Sequence, residues 1–158
     1  ERVTAIHRHH QIMGGKTPEG FCPQVARCHR AAQHIRRRHN LHQLGRAAIA
    51  AGKLQQANDT ASKLEREGPA WSTALATLLR ASAEPRTEVA IEAYRRAEEQ
   101  LEQVDMKLYS AAARWHRAAL TGGEAGKAER QSVTEALRQQ GVVNVEHMVR
   151  GLVPRVQA

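Results

Sequence analysis

Aromatic residues are scarce in this sequence, which holds one Phe, two Tyr and two Trp among 158 residues. Its two cysteines are too few for the disulfide framework that small secreted domains use. No run of about 18 apolar residues occurs, so we expect no membrane-spanning helix. Residues 1–11 contain no apolar signal core, which gives secretion no support. These absences together predict a cytoplasmic protein in a reducing compartment.

The composition instead favours helices that pack closely through small side chains. Alanine, leucine, arginine and glutamine dominate, and 41% of the residues are hydrophobic. A chain of this length buries about 68–70% of its unfolded surface on folding. We therefore expect a core that needs neither a disulfide nor a structural metal ion.

Positive charge is concentrated at the start of the chain. The net charge is +8, and residues 1–42 contribute +6 of it, from eight basic and two acidic side chains. The same stretch holds seven of the nine histidines and both cysteines. This change in composition predicts a basic, His/Arg-rich segment over residues 1–40, partly helical or disordered, followed by a conventional domain over 41–158.

Hydrophobic periodicity predicts an all-α fold. Apolar residues recur with the 3.6-residue period of helices, whereas the two-residue period of strands does not occur. Asp105 and Asn144 stand where a side chain that caps a helix N-terminus is expected. Glu92/Arg96 and Arg95/Glu99 have the spacing of ion pairs along one helix. The predicted helices cover residues 53–67, 71–83, 90–104, 106–121, 124–140 and 145–152.

An internal repeat predicts how these helices are arranged. Leu44-Gly45, a turn at Gly52 and Ala57 on the next helix have the spacing of a tetratricopeptide (TPR) repeat. Alanines then recur on second helices at Ala57, Ala90 and Ala125, at steps of 33 and 35 residues. The predicted architecture is a short TPR-like array of stacked antiparallel helix pairs, and the alternative is an irregular helical bundle.

Residues 41–158 resemble a known family. They are similar to the C-terminal helical-repeat tail of large multidomain bacterial serine/threonine protein kinases and related signalling ATPases. The resemblance implies a TPR-like fold and a signalling context, and it carries no catalytic residue with it. Four stretches carry it, namely EGPAW (Glu67–Trp71), Ala90–Trp115, LTGGEAGKA (Leu120–Ala128) and QGVVNVEHMVRGLVP (Gln140–Pro154).

Short matches to catalytic and cofactor motifs do not fit their structural context. Residues 10–17 come within one glycine of a phosphate-binding loop, but no buried strand precedes them. Cys22, Cys28, His29 and His34 lack the spacing of a zinc site. His116 falls on an apolar helix face, where a packed core histidine is the expected role. We therefore predict no enzyme activity, no cofactor and no metal site.

Two functions from different classes remain open. The first is a regulatory module that binds a protein or peptide partner in its concave groove, steered by a basic strip of Lys107, Arg114 and Arg117 if that strip faces the groove. Such a strip is more often solvated surface than part of a groove. The alternative is a basic helical nucleic-acid-binding protein that acts through residues 27–38. Its candidate phosphate contacts are Arg27, Arg30, Arg37 and Arg38.

Overall fold

The computed structural model of the chain describes residues 23–156, except for the side chains of residues 23–27, 29 and 30. This part of the chain is all-α and contains no strand, as predicted. Its seven helices are α1 (Pro23–Ala50), α2 (Leu54–Glu65), α3 (Ala70–Ala83), α4 (Thr87–Gln103), α5 (Lys107–Thr121), α6 (Gly123–Gln139) and α7 (Val145–Leu152).

The helices stack in the order in which the chain makes them. From α2 to α6, each helix packs against the next one, and α7 packs against both α5 and α6. The connections are short, so consecutive helices run antiparallel, as short loops between packed helices require. The prediction of an all-α array of stacked antiparallel helix pairs is therefore confirmed.

The predicted apolar stripes form the core. On α2 the buried face repeats every three to four residues, and on α4 it does the same, as an amphipathic helix requires. Glycine at position 52 has a φ of +69°, so the turn after α1 uses a backbone conformation that side chains disfavour. The residues buried in the two helices are Ala57, Thr60, Ala61 and Leu64 on α2 and Ala90, Tyr94, Ala97 and Leu101 on α4.

One of the two predicted helix caps is confirmed. The Asn144 side chain accepts a hydrogen bond from the His147 N–H at 3.0 Å, which satisfies a free donor at the start of α7. The prediction for Asp105 is wrong, because Met106 is the residue that precedes α5. Asp105 instead adopts a φ of +56° in the connection, a left-handed conformation that Asp tolerates better than most residues.

Two glycines mark the closest approaches between helices. A Cβ atom on Gly45 would lie 2.6 Å from Cδ1 of Leu79, so α1 approaches α3 closely at this point. A Cβ atom on Gly126 would lie 2.5 Å from the carbonyl oxygen of Ala118 on α5. Ala125, predicted as the third alanine of the repeat, is exposed. In the third helix pair, Gly126 and not Ala125 occupies the position of closest approach. This pair is therefore shifted by one residue relative to the predicted repeat.

The division of the chain falls close to the change in composition. The described residues separate into two units between Ile35 and Arg36. Residue 40, where the sequence predicts a boundary, lies inside α1. The surfaces described below all belong to the second unit.

Replacing Ala57 with leucine is expected to lower the free energy of unfolding by about 1–3 kcal/mol, because Ala57 is 1% exposed and the extra carbons overpack the core. Ala128→Leu is the control, because Ala128 is exposed on α6. Urea unfolding followed by circular dichroism measures both. Equal stability of the two variants would contradict close packing at Ala57.

Candidate interaction surfaces

Helix α1 contacts both of the other helices that begin a pair. Besides the approach of Gly45 to Leu79 on α3, the His42 ring packs edge-to-face on Tyr109 of α5, with centroids 5.5 Å apart. At this point the space between these three helices is therefore occupied by side chains of the chain itself. His42 is 3% exposed, and burial, with Arg46 and His39 nearby, lowers its pKa to about 4.

Two of the four arginines proposed as phosphate contacts are engaged with one carboxylate. Arg37 Nε lies 3.0 Å from Glu67 Oε1, and Arg38 Nε lies 3.6 Å from Glu67 Oε2. Arg38 also donates to the Glu67 carbonyl oxygen at 3.3 Å and stacks over Trp71 at 5.8 Å. Arg38 is thus part of the contact between α1 and the connection before α3. The side chains of Arg27 and Arg30 lie outside the described part.

The residues that follow α7 return across the array. Val153 is 1% exposed and belongs to the core, and its backbone lies near enough to His116 of α5 to affect the pKa of that ring. The Val156 N–H donates to the carbonyl oxygen of Ser82, in the last turn of α3, at 3.2 Å. Carbonyls in the last turn of a helix lack a partner within that helix. The non-helical segment Val153–Val156 therefore bridges α5 and α3, and we call it the return segment.

A polar cluster lies beneath the return segment. The Tyr94 hydroxyl of α4 donates to Ser82 Oγ at 3.2 Å, and the Tyr94 and His116 rings stack with centroids 5.5 Å apart. Burial raises the pKa of Tyr94 to about 12. Burial also lowers the pKa of His116 to about 4, although the nearby Val153 backbone opposes this shift. Both groups are therefore neutral at physiological pH.

This cluster leaves two buried nitrogen atoms without a hydrogen-bond partner. They are Nε2 of His116 and Nε of Arg155, and Arg155 lies near enough to His116 to lower its pKa. His116 is 6% exposed, so its Nε2 has no access to water. Buried polar atoms without partners destabilise the arrangement that contains them. The return segment is therefore an imperfect match to the surface it covers.

The structure places Lys107 and Arg114 of the predicted basic strip on the far side of α5 from this cluster. Tyr109 and His116 are seven residues apart and share one face, whereas Arg114 is turned from Tyr109 by about 140°. The strip therefore does not face the surface that α1 and α3 contact. The nearest carboxylate to Lys107 is Asp105 at 3.3 Å, and both side chains are more than four-fifths exposed. Exposed pairs of this kind contribute little.

Two residues of the strip belong to an ion cluster that joins three helices. Arg117 contacts Glu98 of α4 at 3.1 Å and Glu129 of α6 at 2.7 Å, and Arg114 contacts Glu129 at 3.0 Å. Burial raises the pKa of Glu98, although both arginines oppose this shift. The charges of the four side chains largely offset one another, so Lys107 carries the least compensated charge of the strip.

Lys107 and Arg114 also line a cleft between α4, α5 and α6. The cleft has a volume of about 390 Å³. Its apolar side is formed by Ala111 of α5 together with three α6 residues, Val133, Ala136 and Leu137. Glu102 stands on the polar side and accepts a hydrogen bond from the Ser110 hydroxyl at 3.1 Å. The arrangement combines an apolar floor with a charged rim.

The residues of the near match to a phosphate-binding loop and of the zinc candidates are described by the structure only in part. Residues 10–17 and Cys22 lie outside the described part, as does the His29 side chain, and Cys28 is exposed. Among the described side chains, no group of three His, Cys, Asp or Glu residues is placed to hold a metal ion. Within residues 23–156, no helix combines the length and apolar character needed to cross a bilayer.

Comparison of the chain with family models, with curated proteins and with solved structures gives no match.

Sequence reasoning missed both the return segment and the apolar floor. Residues 153–156 follow a helix and have no periodic pattern, so nothing in their spacing predicts that they return to α3. Val133 and Leu137 do have a helical spacing, four residues apart, which predicts a buried face of α6. That signal identifies a core stripe and does not show that a cleft opens beside it.

Proposed function

We propose that residues 36–156 form a non-catalytic protein-interaction module that binds a partner segment in the cleft between α4, α5 and α6. The observation that supports this most directly is the apolar floor beside Lys107 and Arg114, two of the three residues in the predicted strip. The resemblance of residues 41–158 to helical-repeat tails of bacterial serine/threonine kinases is the reason to propose a signalling role for this module. Any kinase activity would belong to another domain.

The chemistry of the cleft favours an amphipathic helix as the partner segment. Small residues of the partner cover Ala111 and Ala136, which are more accessible than Val133 at 5% and Leu137 at 2% exposure. A carboxylate of the partner approaches Lys107, whose pair with Asp105 is too exposed to compete strongly. Helices that dock in grooves in this way use apolar anchors at helical spacing.

A protein partner is favoured over nucleic acid by the pairing of the basic residues. Arg37 and Arg38 share Glu67, and Arg114 and Arg117 share Glu98 and Glu129. Nucleic-acid binding relies on basic side chains that neutralise phosphates and release counterions. These four arginines already have carboxylate partners, which reduces what they offer to a phosphate backbone.

The test uses peptides selected from a random library for binding to the full chain. Ala136→Glu places a charge in the cleft, whereas Ala128→Glu places the same charge on an exposed part of the same helix. We expect Ala136→Glu to weaken the selected peptides by at least about tenfold, because a charge facing an apolar floor must be desolvated on binding. Fluorescence anisotropy measures the affinities, and Ala128→Glu should leave them unchanged.

Two results would overturn the proposal. One is equal affinity of the selected peptides for the two variants, which would place their site elsewhere. The other is micromolar binding of single-stranded or duplex oligonucleotides that weakens steeply with salt and is lost in the Arg27→Glu, Arg30→Glu double variant. That second result would assign the function to residues 27–38.

A further inference from the structure

The return segment is held by few contacts for a part of the core. Val153 supplies the one fully buried side chain, while Pro154, Arg155 and Val156 are half-buried. Two hydrogen bonds hold its backbone, one from the Val153 N–H to the Val149 carbonyl oxygen of α7 at 2.8 Å and one from the Val156 N–H to the Ser82 carbonyl oxygen at 3.2 Å. A segment attached at its two ends in this way opens more readily than a helix whose whole length is packed.

The surface beneath the segment is also formed without it. Tyr94 packs on His116 and donates to Ser82 Oγ, and Ser82 Oγ itself donates to the Leu78 carbonyl oxygen at 2.9 Å. These contacts join α3, α4 and α5 and do not involve residues 153–156. What the segment contributes is an apolar side chain and an N–H for the free carbonyl at the end of α3. Both are groups that any short peptide supplies.

From these contacts we propose that the surface of α3, α4 and α5 under the return segment is a peptide-docking groove, and that residues 153–156 are its resident ligand. The partner is a non-helical segment of another protein with a β-branched apolar residue in the place of Val153, followed by proline and by a backbone N–H that reaches Ser82. Such a segment competes with the return segment, and its binding requires that the return segment leave. This groove is separate from the cleft between α4, α5 and α6. The proposal for one site can therefore be contradicted without affecting the proposal for the other.

The two unpaired nitrogen atoms explain why a segment of another protein can displace the return segment. Nε2 of His116 and Nε of Arg155 are both buried, and neither has a hydrogen-bond partner. A competing peptide with a hydroxyl or amide side chain in the place of Arg155 supplies a hydrogen-bond partner for Nε2 of His116. It also avoids burying an arginine nitrogen that has no partner. The return segment has an advantage over a free peptide because it is covalently joined to the groove. This linkage corresponds to an effective concentration on the order of millimolar.

The test compares the whole chain with the variant Val153→Asp, which places a charge where the structure buries an apolar side chain and so releases the segment. Val143→Asp is the matched control, because Val143 is 95% exposed. The probe is a fluorescent synthetic peptide of residues 151–158, and a peptide with Asp in the place of Val153 is its control. We expect at least about tenfold tighter binding to Val153→Asp than to the unchanged chain or to Val143→Asp.

Amide hydrogen exchange shows whether the return segment is released while the helices beneath it stay folded. In the unchanged chain the Val156 amide should be protected, and in Val153→Asp it should exchange rapidly while the amides of α3, α4 and α5 stay protected. If Val153→Asp does not fold, Val156→Pro releases the same segment by removing the N–H that Ser82 accepts.

Several outcomes overturn the proposal. They are an unprotected Val156 amide in the unchanged chain, a folded Val153→Asp variant that does not bind the peptide, and equal binding to all three proteins. Unfolding of both releasing variants would show that the segment is an integral part of the core. A Val153→Asp dimer that the free peptide dissociates would assign the groove to a second copy of this chain.

Discussion

Replacing Tyr94 with alanine is expected to lower the free energy of unfolding by about 3–5 kcal/mol, as large-to-small changes at buried aromatic residues do. Tyr94 is fully buried, and its ring connects α4 to His116 of α5, while its hydroxyl reaches Ser82 of α3. The change leaves a cavity at the point where three helices meet. Because consecutive helices support one another in a stack, we expect the loss to affect the whole of residues 36–156.

The control for Tyr94→Ala is Tyr94→Phe. This variant keeps the ring and loses only the hydrogen bond to Ser82 Oγ, and Ser82 Oγ still donates to the Leu78 carbonyl oxygen. The expected cost is about 0.5–1.5 kcal/mol, which is typical of one hydrogen bond. Urea unfolding monitored by circular dichroism gives both values. A Tyr94→Ala variant as stable as Tyr94→Phe would contradict the central packing role of the ring.

Lowering the pH from about 7 to about 4 is expected to remove up to about 3 kcal/mol of stability for each of His42 and His116. The pKa of each falls from the ordinary 6.5 to about 4 in the folded chain. Between these values the unfolded chain binds more protons than the folded one, so stability falls as the pH falls and the loss is complete below about 4. Burial is the main cause at both positions.

The pair of substitutions His42→Phe and His116→Phe tests this expectation. Phenylalanine keeps a ring against Tyr109 and Tyr94 and removes the titrating group at each position. The double variant should show a flatter dependence of stability on pH between about 6.5 and 4.5. Below that range, carboxylates such as Glu92, whose pKa is lowered to about 2 by Arg95 and Arg96, add their own acid sensitivity. An unchanged slope in the double variant would show that the two histidines are not the cause.

The parts of the fold that the sequence predicts are those that depend on neighbouring residues. Helical stripes such as Ala57 to Leu64 follow from a period of 3.6 residues, and the Asn144 cap follows from a side chain three residues before the N–H it accepts. The predicted pairs of Arg95 with Glu99 and of Arg96 with Glu92 form for the same reason. Each of these features lies within one helix or at its end.

The features of the fold that the sequence does not predict are those that depend on contacts between different helices. Glu98 and Glu129 belong to different helices, so sequence spacing alone does not show that Arg117 lies between them. Gly126 replaces Ala125 at a tight contact because the third helix pair departs by one residue from the repeat. His42 and Tyr109 lie on helices that are far apart in the sequence, so residue spacing does not predict the contact of their rings.

The most direct test of the interaction-module account is a map of backbone amide chemical shifts as a library-selected peptide is added to the full chain. We expect shifts concentrated on residues that line the cleft, from Lys107 to Arg114 on α5 and from Ser132 to Gln140 around the end of α6. Shifts confined to residues 27–38, or an absence of shifts at saturating peptide, would contradict it.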